Sequence, residues 1–236
     1  MTEDEARREL AGLGEFFAVQ PASDPGPWRP AADLLDPAVL GRRVEIVGTA
    51  LAGMVGADVE PRVATSTASL GLFARLLSPA LGAALLDLPG PAVDALRWRP
   101  ETPGTVPLSS PCWARDVLDE TLDQLLLPML DVLHAEHGVS RHVLLGNLAS
   151  AVNGSLRMAV ASRPDLADAA GALRARLLDH RALVDAALPG EPFVRRSCCL
   201  YYRLPGGGYC GDCVLAPQHR PRVEADRSPR GHRALG

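Results

Sequence analysis

Apolar residues recur at helical spacing along most of the chain, and the clearest run lies in its second half. There the apolar positions are three or four residues apart and make one wide stripe: Val117, Leu118, Leu122, Leu125, Leu126, Met129, Leu130 and Leu133. Such a stripe is typical of a helix that packs one face against a core. A second stripe follows Ser140, a residue suited to an N-cap. The pattern therefore predicts a mainly α fold.

Capping signals predict where the earlier helices begin. Thr2 and Glu5 form a capping box for a first helix that reaches about residue 17. Asp36, followed by a proline, should open a helix that ends near residue 53. A third helix fits residues 65–77, and Pro79 should start a fourth that ends near residue 88.

The stretch 89–114 breaks this helical pattern, since it contains six prolines. Short strands are predicted around residues 95–97 and 105–108, so the fold class is mainly α with some β structure (α+β). The stretch is either a subdomain boundary or an irregular loop inside one domain. Further on, Pro128 should kink or restart its helix, and a last helix is predicted over residues 164–187.

Composition narrows the possible functions. Hydrophobic residues make up 47% of the 236 residues, which suits a globular fold, and the net charge of −4 argues against general nucleic-acid binding. The N-terminus lacks the pattern of a secretory signal, and no apolar stretch looks long enough to cross a bilayer. These features predict a cytoplasmic protein without a transmembrane segment.

Four of the five cysteines are concentrated between residues 195 and 215. They are Cys198, Cys199, Cys210 and Cys213, with the spacing Cys-Cys-x10-Cys-x2-Cys. In a reducing compartment such a group indicates metal binding or redox chemistry rather than disulfides. The x2 pair suits a tight turn from which two thiolates bind one centre.

The adjacent pair is unusual for a site that holds one ion. Neighbouring side chains on an extended backbone point to opposite sides, so both can bind one ion only if the chain bends. A binuclear cluster relaxes that requirement because its ligands are divided between two irons. The spacing favours a [2Fe-2S] cluster over a single tetrahedral zinc, and structural zinc stays the alternative.

Six further residues are predicted to surround this site or to contact a substrate: Arg195, Arg196, Tyr202, Arg203, Gly207 and Gly208. The arginines would offset the negative charge of four thiolates. The glycines belong to a Pro-Gly-Gly-Gly turn that can bring backbone N–H groups close to sulfur. The tyrosine, with two others nearby, would shield the site from water.

This segment resembles the C-terminal signature of the ferric siderophore reductase family, the FhuF-like iron–sulfur proteins. The four cysteines match its Cys-Cys-x10-Cys-x2-Cys arrangement position by position, and the flanking Tyr-Arg-Leu-Pro and Gly-Asp-Cys sequences agree. The resemblance extends upstream to LLGNLASAV (144–152) and to RVATSTASLGLFARLLSP (62–79). It implies that the cysteines hold a [2Fe-2S] cluster.

The resemblance also implies one-electron reduction of ferric iron held by a siderophore, often of the hydroxamate type. No catalytic residue beyond the cluster ligands is expected, and the lack of a dinucleotide or flavin motif predicts an external electron donor such as a ferredoxin or a reductase. Alternatives are a non-catalytic zinc protein and a [2Fe-2S] electron carrier or iron sensor.

The same resemblance suggests how the chain is divided. We expect one FhuF-like domain over residues 1–216, with a helical body over 1–192 and a cluster-binding segment over 193–216. Residues 217–236 are rich in arginine and lack apolar periodicity, so they are predicted to be disordered.

Other candidate residues lie outside the cysteine segment. Cys112 is expected to be a packed, ordinary thiol. His134 and His137 are three residues apart and could share a metal ion, but no third ligand is near in sequence, so surface or capping roles are expected. Asn147 and Ser150 are expected to be structural rather than substrate contacts.

Overall fold

The computed structural model describes residues 2–100 and 104–219. Seven α-helices account for nearly half of these residues: α1 (Glu3–Gly12), α2 (Pro37–Val55), α3 (Pro61–Leu86), α4 (Val117–Glu120), α5 (Leu127–His137), α6 (Arg141–Ser162) and α7 (Ala167–Leu178). The predicted mainly α fold is therefore confirmed. Of the predicted disordered tail, Pro217–His219 form a 3-10 turn, and the rest lies outside the described residues.

The helices begin at the capping residues that the sequence predicts. Thr2 and Glu5 exchange side-chain and backbone hydrogen bonds at the start of α1. The side chain of Asp36 caps α2, and that of Ser140 caps α6. Among α1, α2 and α6, only the end of α1 differs from the prediction, because Gly14 adopts a φ of 129° and turns the chain out of the helix before residue 17.

Helices α3 and α6 pack against each other at the centre of the molecule. The hydroxyl oxygens of Ser78 and Ser155 are 2.8 Å apart across this contact. One continuous cluster of buried apolar residues extends along the chain from Leu10 to Phe193. Because that cluster draws on both sides of residues 89–114, this stretch lies within a single core.

Helix α3 is longer than the sequence pattern predicts. We expected a break at Pro79, but the helix continues through it to Leu86. The Ser78 hydroxyl donates to the carbonyl of Ala74 (2.6 Å), and Pro79 itself is buried in the core. By length and composition α3 could cross a membrane, contrary to the expectation above, yet 67% of its most apolar window is buried inside the fold.

The proline-rich stretch contributes four of five very short strands. They are β1 (Arg29–Pro30), β2 (Gly90–Pro91), β3 (Arg97–Trp98), β4 (Leu108–Ser109) and β5 (Trp113–Ala114). An antiparallel sheet has the order β1-β3-β4, and β2 pairs with β5. The two strands predicted here correspond to β3 and β4. The side chain of Trp98 is completely buried, so this small sheet is attached to the helical core.

The helix restarts at Pro128, which is one of the two outcomes that the sequence predicts. A π-helical stretch, Thr121–Leu126, joins α4 to α5, and the proline lies in the first turn of α5. The last helix is shorter than predicted, since α7 ends at Leu178. The chain then turns so that Leu183 is buried and Ala187 pairs with Arg195 in an antiparallel bridge. This reversal brings the cysteine segment back to the body.

Candidate metal centre

The four predicted cysteine ligands lie together in the structure. The segment 193–216 has little regular secondary structure, with one 3-10 turn at Tyr201–Arg203. Its thiols form two contacts: Sγ of Cys199 is 3.9 Å from Sγ of Cys210, and Sγ of Cys213 is 3.8 Å from Sγ of Cys198. None of them is in a disulfide. The four cysteines therefore form a compact group of free thiols.

This arrangement suits a binuclear cluster. Two thiolates on one tetrahedral metal lie about 3.8 Å apart when each metal–sulfur bond is about 2.3 Å long. Both observed sulfur–sulfur contacts have that separation. Among the described residues, no three Cys, His, Asp or Glu side chains are placed to hold one ion together. The two thiol pairs suit a [2Fe-2S] cluster, in which two cysteines bind each iron.

Burial and hydrogen bonding make the four thiols unequal. Cys199 and Cys213 are buried, whereas Cys198 and Cys210 are half-buried. The neighbouring thiols of Cys198 and Cys210 lower the pKa of Cys199, and the charge of Arg195 lowers it further. The same interactions raise the pKa values of Cys198 and Cys210. Metals bind thiolates, so the lowered pKa favours Cys199 as a ligand.

Arg195 is the charged group closest to the thiols. Its side chain is completely buried, and Nη2 donates to Sγ of Cys210 at 2.7 Å. Nη1 donates to Oδ1 of Asn147 (2.8 Å), and Nε lies 3.2 Å from Oδ2 of Asp212 without hydrogen-bond alignment. Burial alone would lower the pKa of Arg195, but Asp212 and the cysteines raise it above its usual value. The guanidinium is therefore a fixed positive charge beside sulfur.

A buried polar network attaches the segment to α3 and α6. Nδ2 of Asn147 on α6 donates to the hydroxyls of Ser66 and Ser69 on α3, both at 2.9 Å. The Ser66 hydroxyl in turn donates to the carbonyl of Cys199 at 2.7 Å. Buried polar groups need such partners, so these three residues hold Arg195 and the cysteine backbone in place.

A second polar contact links the Cys-x2-Cys turn to α6. The Ser150 hydroxyl donates to Oδ2 of Asp212 at 2.5 Å, and the Asp212 carbonyl accepts the backbone N–H of Arg195 at 3.0 Å. Ser66, Ser69, Asn147 and Ser150 all lie in the two upstream stretches, 62–79 and 144–152, for which the resemblance is a prediction. The sequence predicts a structural role for Asn147 and Ser150 but does not link them to the cysteines. The feature that could have identified them is a polar residue inside the apolar stripe of a helix.

Backbone geometry, rather than the glycine turn, supplies an N–H to sulfur. Leu200 has a φ of 68°, and its N–H donates to Sγ of Cys198 at 3.4 Å. The N–H of Gly207 instead donates to the carbonyl of Leu204. A Cβ atom on Gly207 would lie 2.5 Å from the Tyr201 carbonyl oxygen, whereas one on Gly208 would meet nothing within 4 Å. Gly207 is needed for the close turn, and Gly208 faces open space.

The remaining predicted residues lie at the edges of the segment. Arg203 pairs with Glu60 at the start of α3 (2.9 Å), and the rings of Tyr202 and Tyr209 are 6.0 Å apart and close to half exposed. Arg196 donates to the Ala187 carbonyl and lines a cleft of about 390 Å³ beside α7. Their role in surrounding the cluster or contacting a substrate stays a prediction.

Comparison with known families agrees with this geometry. A family model described as the FhuF 2Fe-2S C-terminal domain matches residues 195–215. The predicted resemblance of the cysteine segment to FhuF-like proteins is confirmed, whereas the resemblance of the stretches 62–79 and 144–152 stays a prediction. The FhuF match spans all four cysteines and Arg195, and with the two thiol pairs it supports a [2Fe-2S] cofactor. No curated protein sequence matches the chain significantly.

Residues outside the FhuF-type segment have other surroundings. Cys112 is exposed, so the expectation that it is packed was wrong; the proline-rich backbone turns it outward beside β5. Nδ1 of His134 is 2.9 Å from the carbonyl of Val139, which is a capping contact at the end of α5. Nε2 of His142 contacts the carbonyl of Arg196 at 3.3 Å. His134 therefore has the capping role expected of it, whereas Nε2 of His137 is buried without a hydrogen-bond partner among the described residues.

Proposed function

We propose that the protein reduces Fe(III) bound to a siderophore and so releases Fe(II) for iron assimilation. The FhuF-type match over residues 195–215, with its four gathered thiols, is the observation that carries this proposal. Cytoplasmic location belongs to the same proposal, because iron released there is directly available to the cell.

The chain's own residues prepare a site for electron transfer. When bound, a [2Fe-2S] cluster supplies a one-electron redox centre. Cys198, Cys199, Cys210 and Cys213 would hold it, and Arg195 offsets their negative charge. Cys199 and Cys213 are buried, which shields them from water, whereas Cys198 and Cys210 are only half-buried. A partner molecule can therefore approach the site at Cys198 and Cys210.

The proposed reaction balances as one electron for each iron. An external one-electron donor, such as a ferredoxin or a separate reductase, is oxidised, and the Fe(III) of the siderophore becomes Fe(II). Hard oxygen ligands such as hydroxamates bind Fe(II) far less tightly, so the metal can leave. No proton transfer or nucleophile is needed, in agreement with a site built from thiols and one arginine.

A reoxidation experiment tests the proposal. The protein is purified anaerobically, reduced with dithionite and freed of excess reductant. A ferric hydroxamate siderophore is then added while the visible spectrum and the EPR signal are followed. We expect the reduced signal to disappear as a ferrous chelator captures Fe(II). The gallium(III) form of the same siderophore is the matched control, because it has a similar shape but accepts no electron.

Three results would contradict the proposal in different ways. A colourless protein with bound zinc and no sulfide would indicate a structural metal site. Reduced protein that ferric siderophores leave unchanged, but that exchanges electrons with another protein, would indicate an electron carrier or iron sensor. Equal reoxidation by the gallium complex would show that the observed change does not report iron reduction.

A further inference from the structure

The two sulfur–sulfur contacts pair the cysteines across the motif. Each contact joins one member of the adjacent pair to one member of the Cys-x2-Cys turn: Cys199 meets Cys210, and Cys198 meets Cys213. The two contacts place Cys198 and Cys199 in different pairs, so these adjacent cysteines are suited to different irons. At 3.9 and 3.8 Å, each cross-pair already has the separation of two thiolates on one tetrahedral metal, about 3.8 Å.

Solvent exposure does not distinguish the two pairs. Each contains one buried thiol, Cys199 or Cys213, and one half-buried thiol, Cys210 or Cys198. Any electronic difference between them must therefore come from the groups that contact the sulfurs.

Hydrogen bonding does distinguish them. In the first pair, Sγ of Cys210 accepts from the Arg195 guanidinium at 2.7 Å, whereas in the second pair Sγ of Cys198 accepts from the neutral N–H of Leu200 at 3.4 Å. A charged donor at shorter range stabilises negative charge more strongly. Asp212 lies 3.2 Å from Nε of Arg195 and partly offsets its charge; of these two charged groups, the guanidinium donates to sulfur.

We infer that the thiolates act as two pairs, Cys199 with Cys210 and Cys198 with Cys213, and that Arg195 directs the added electron to the iron held by Cys199 and Cys210. Asn147 is a positioning residue in this scheme, because its Oδ1 fixes Nη1 of Arg195 and leaves Nη2 directed at sulfur. The inference rests on the [2Fe-2S] cofactor of the proposed function and not on siderophore reduction.

Proton NMR of the reduced protein tests the pairing directly. One electron from dithionite, which is itself oxidised, converts one Fe(III) of the pair to Fe(II). The β-protons of cysteines on Fe(III) then show large shifts that fall on warming, and those on Fe(II) show smaller shifts that rise. Selective β-deuteration identifies the cysteine signals, and nuclear Overhauser contacts with Arg195 and Leu200 assign them.

We expect the β-protons of Cys199 and Cys210 to behave as those of ligands on Fe(II), which we call the ferrous class. Those of Cys198 and Cys213 should behave as ligands on Fe(III), the ferric class. If Cys198 and Cys199 share a class, or Cys198 and Cys210 do, the pairing is overturned. If the pairs are correct but the classes are exchanged, the role of Arg195 is overturned. The experiment uses the unmodified protein, so it does not depend on the folding of any variant.

The reduction potential provides a second test of Arg195. We expect Arg195→Gln to lower the equilibrium constant for reduction at least tenfold, about 59 mV for one electron. Arg196→Gln is the matched control, since the neighbouring arginine donates to a backbone carbonyl, and it should change the constant less than threefold. Asn147→Ala keeps the charge of Arg195 and should lower the equilibrium constant for reduction by a smaller factor than Arg195→Gln does.

These results separate the inference from the proposed function. Unchanged potentials in Arg195→Gln and Asn147→Ala would overturn the role of the arginine even in an active reductase. If Arg195→Gln fails to bind iron, the potential of Asn147→Ala and the NMR classes still test the role of Arg195 and the pairing of the cysteines. None of the measurements uses a siderophore, so a protein that reduces no siderophore can still confirm or contradict the pairing.

Discussion

The α3–α6 pair and the cysteine segment are held in place by different forces. The two helices bury apolar side chains against each other and against the core, with Leu148 completely buried on α6. The segment 193–216 has little regular structure, and hydrogen bonds to Asn147, Ser66 and Ser150 attach it to the same two helices. Apolar packing tolerates small adjustments, whereas a polar network depends on each partner. The body should therefore fold without the metal, and the segment should depend on it.

The strongest test of this comparison is removal of one thiol. Cys199→Ser should abolish stable cluster binding, because it deletes the buried ligand whose ionisation the surroundings favour. Iron and sulfide content and the visible spectrum measure the loss. Cys112→Ser is the control, since that exposed thiol should leave the cluster intact. Far-UV circular dichroism should show that the helical body of Cys199→Ser remains folded. Its collapse would show that the body depends on the cluster.

Loss of apolar packing should affect the body more than the metal site. Leu148→Ala removes a fully buried side chain from the central helix and should reduce the free energy of unfolding by about 2–5 kcal/mol. Met158→Ala, at a position 38% exposed on the same helix, should cost about 1 kcal/mol or less. Denaturant unfolding compares the two variants. We expect the spectrum of the bound cluster to stay unchanged in both; an altered spectrum in Leu148→Ala would mean that packing and the site are not separable.

The glycine turn gives a finer test within the segment. Gly207→Ala places a Cβ 2.5 Å from one backbone carbonyl oxygen and 2.9 Å from another, so the turn must shift. We expect a loss of about 1–3 kcal/mol and faster cluster release to a chelator. Gly208→Ala is the adjacent control and should change stability by about 0.5 kcal/mol at most. Equal effects of the two substitutions would contradict the structure of this turn.

The smallest effect is expected at the edge of the segment. Arg203→Gln breaks a partly exposed ion pair with Glu60, which should cost about 0–1 kcal/mol and less at high salt. Thermal unfolding at low and high salt measures it, with Glu60→Gln as the partner variant. The double variant should resemble either single variant if the pair is the only interaction involved. A loss of cluster in Arg203→Gln would instead make this arginine part of the metal site.

Much of the helical body could be predicted because its signals are local. The capping box at Thr2, the caps at Asp36 and Ser140 and the apolar stripe of α4 and α5 each depend on residues within one or two turns. The errors arose where distant residues overrode such signals. Pro79 did not end α3 because the core surrounds it. The last helix ended earlier than predicted, at Leu178, and the chain after it returns towards α6.

The metal site also has some features that the sequence specifies and others that depend on distant residues. Sequence by itself determined the four cysteines, the family resemblance and the cofactor, because ligand type and spacing carry that chemistry. Only the tertiary structure decided which thiols meet, that Arg195 and not Arg196 contacts sulfur, and that Asn147, Ser66 and Ser150 anchor the segment. These residues are separated along the chain by up to 133 positions. No local spacing specifies such contacts, since they exist only when α3, α6 and the segment pack together.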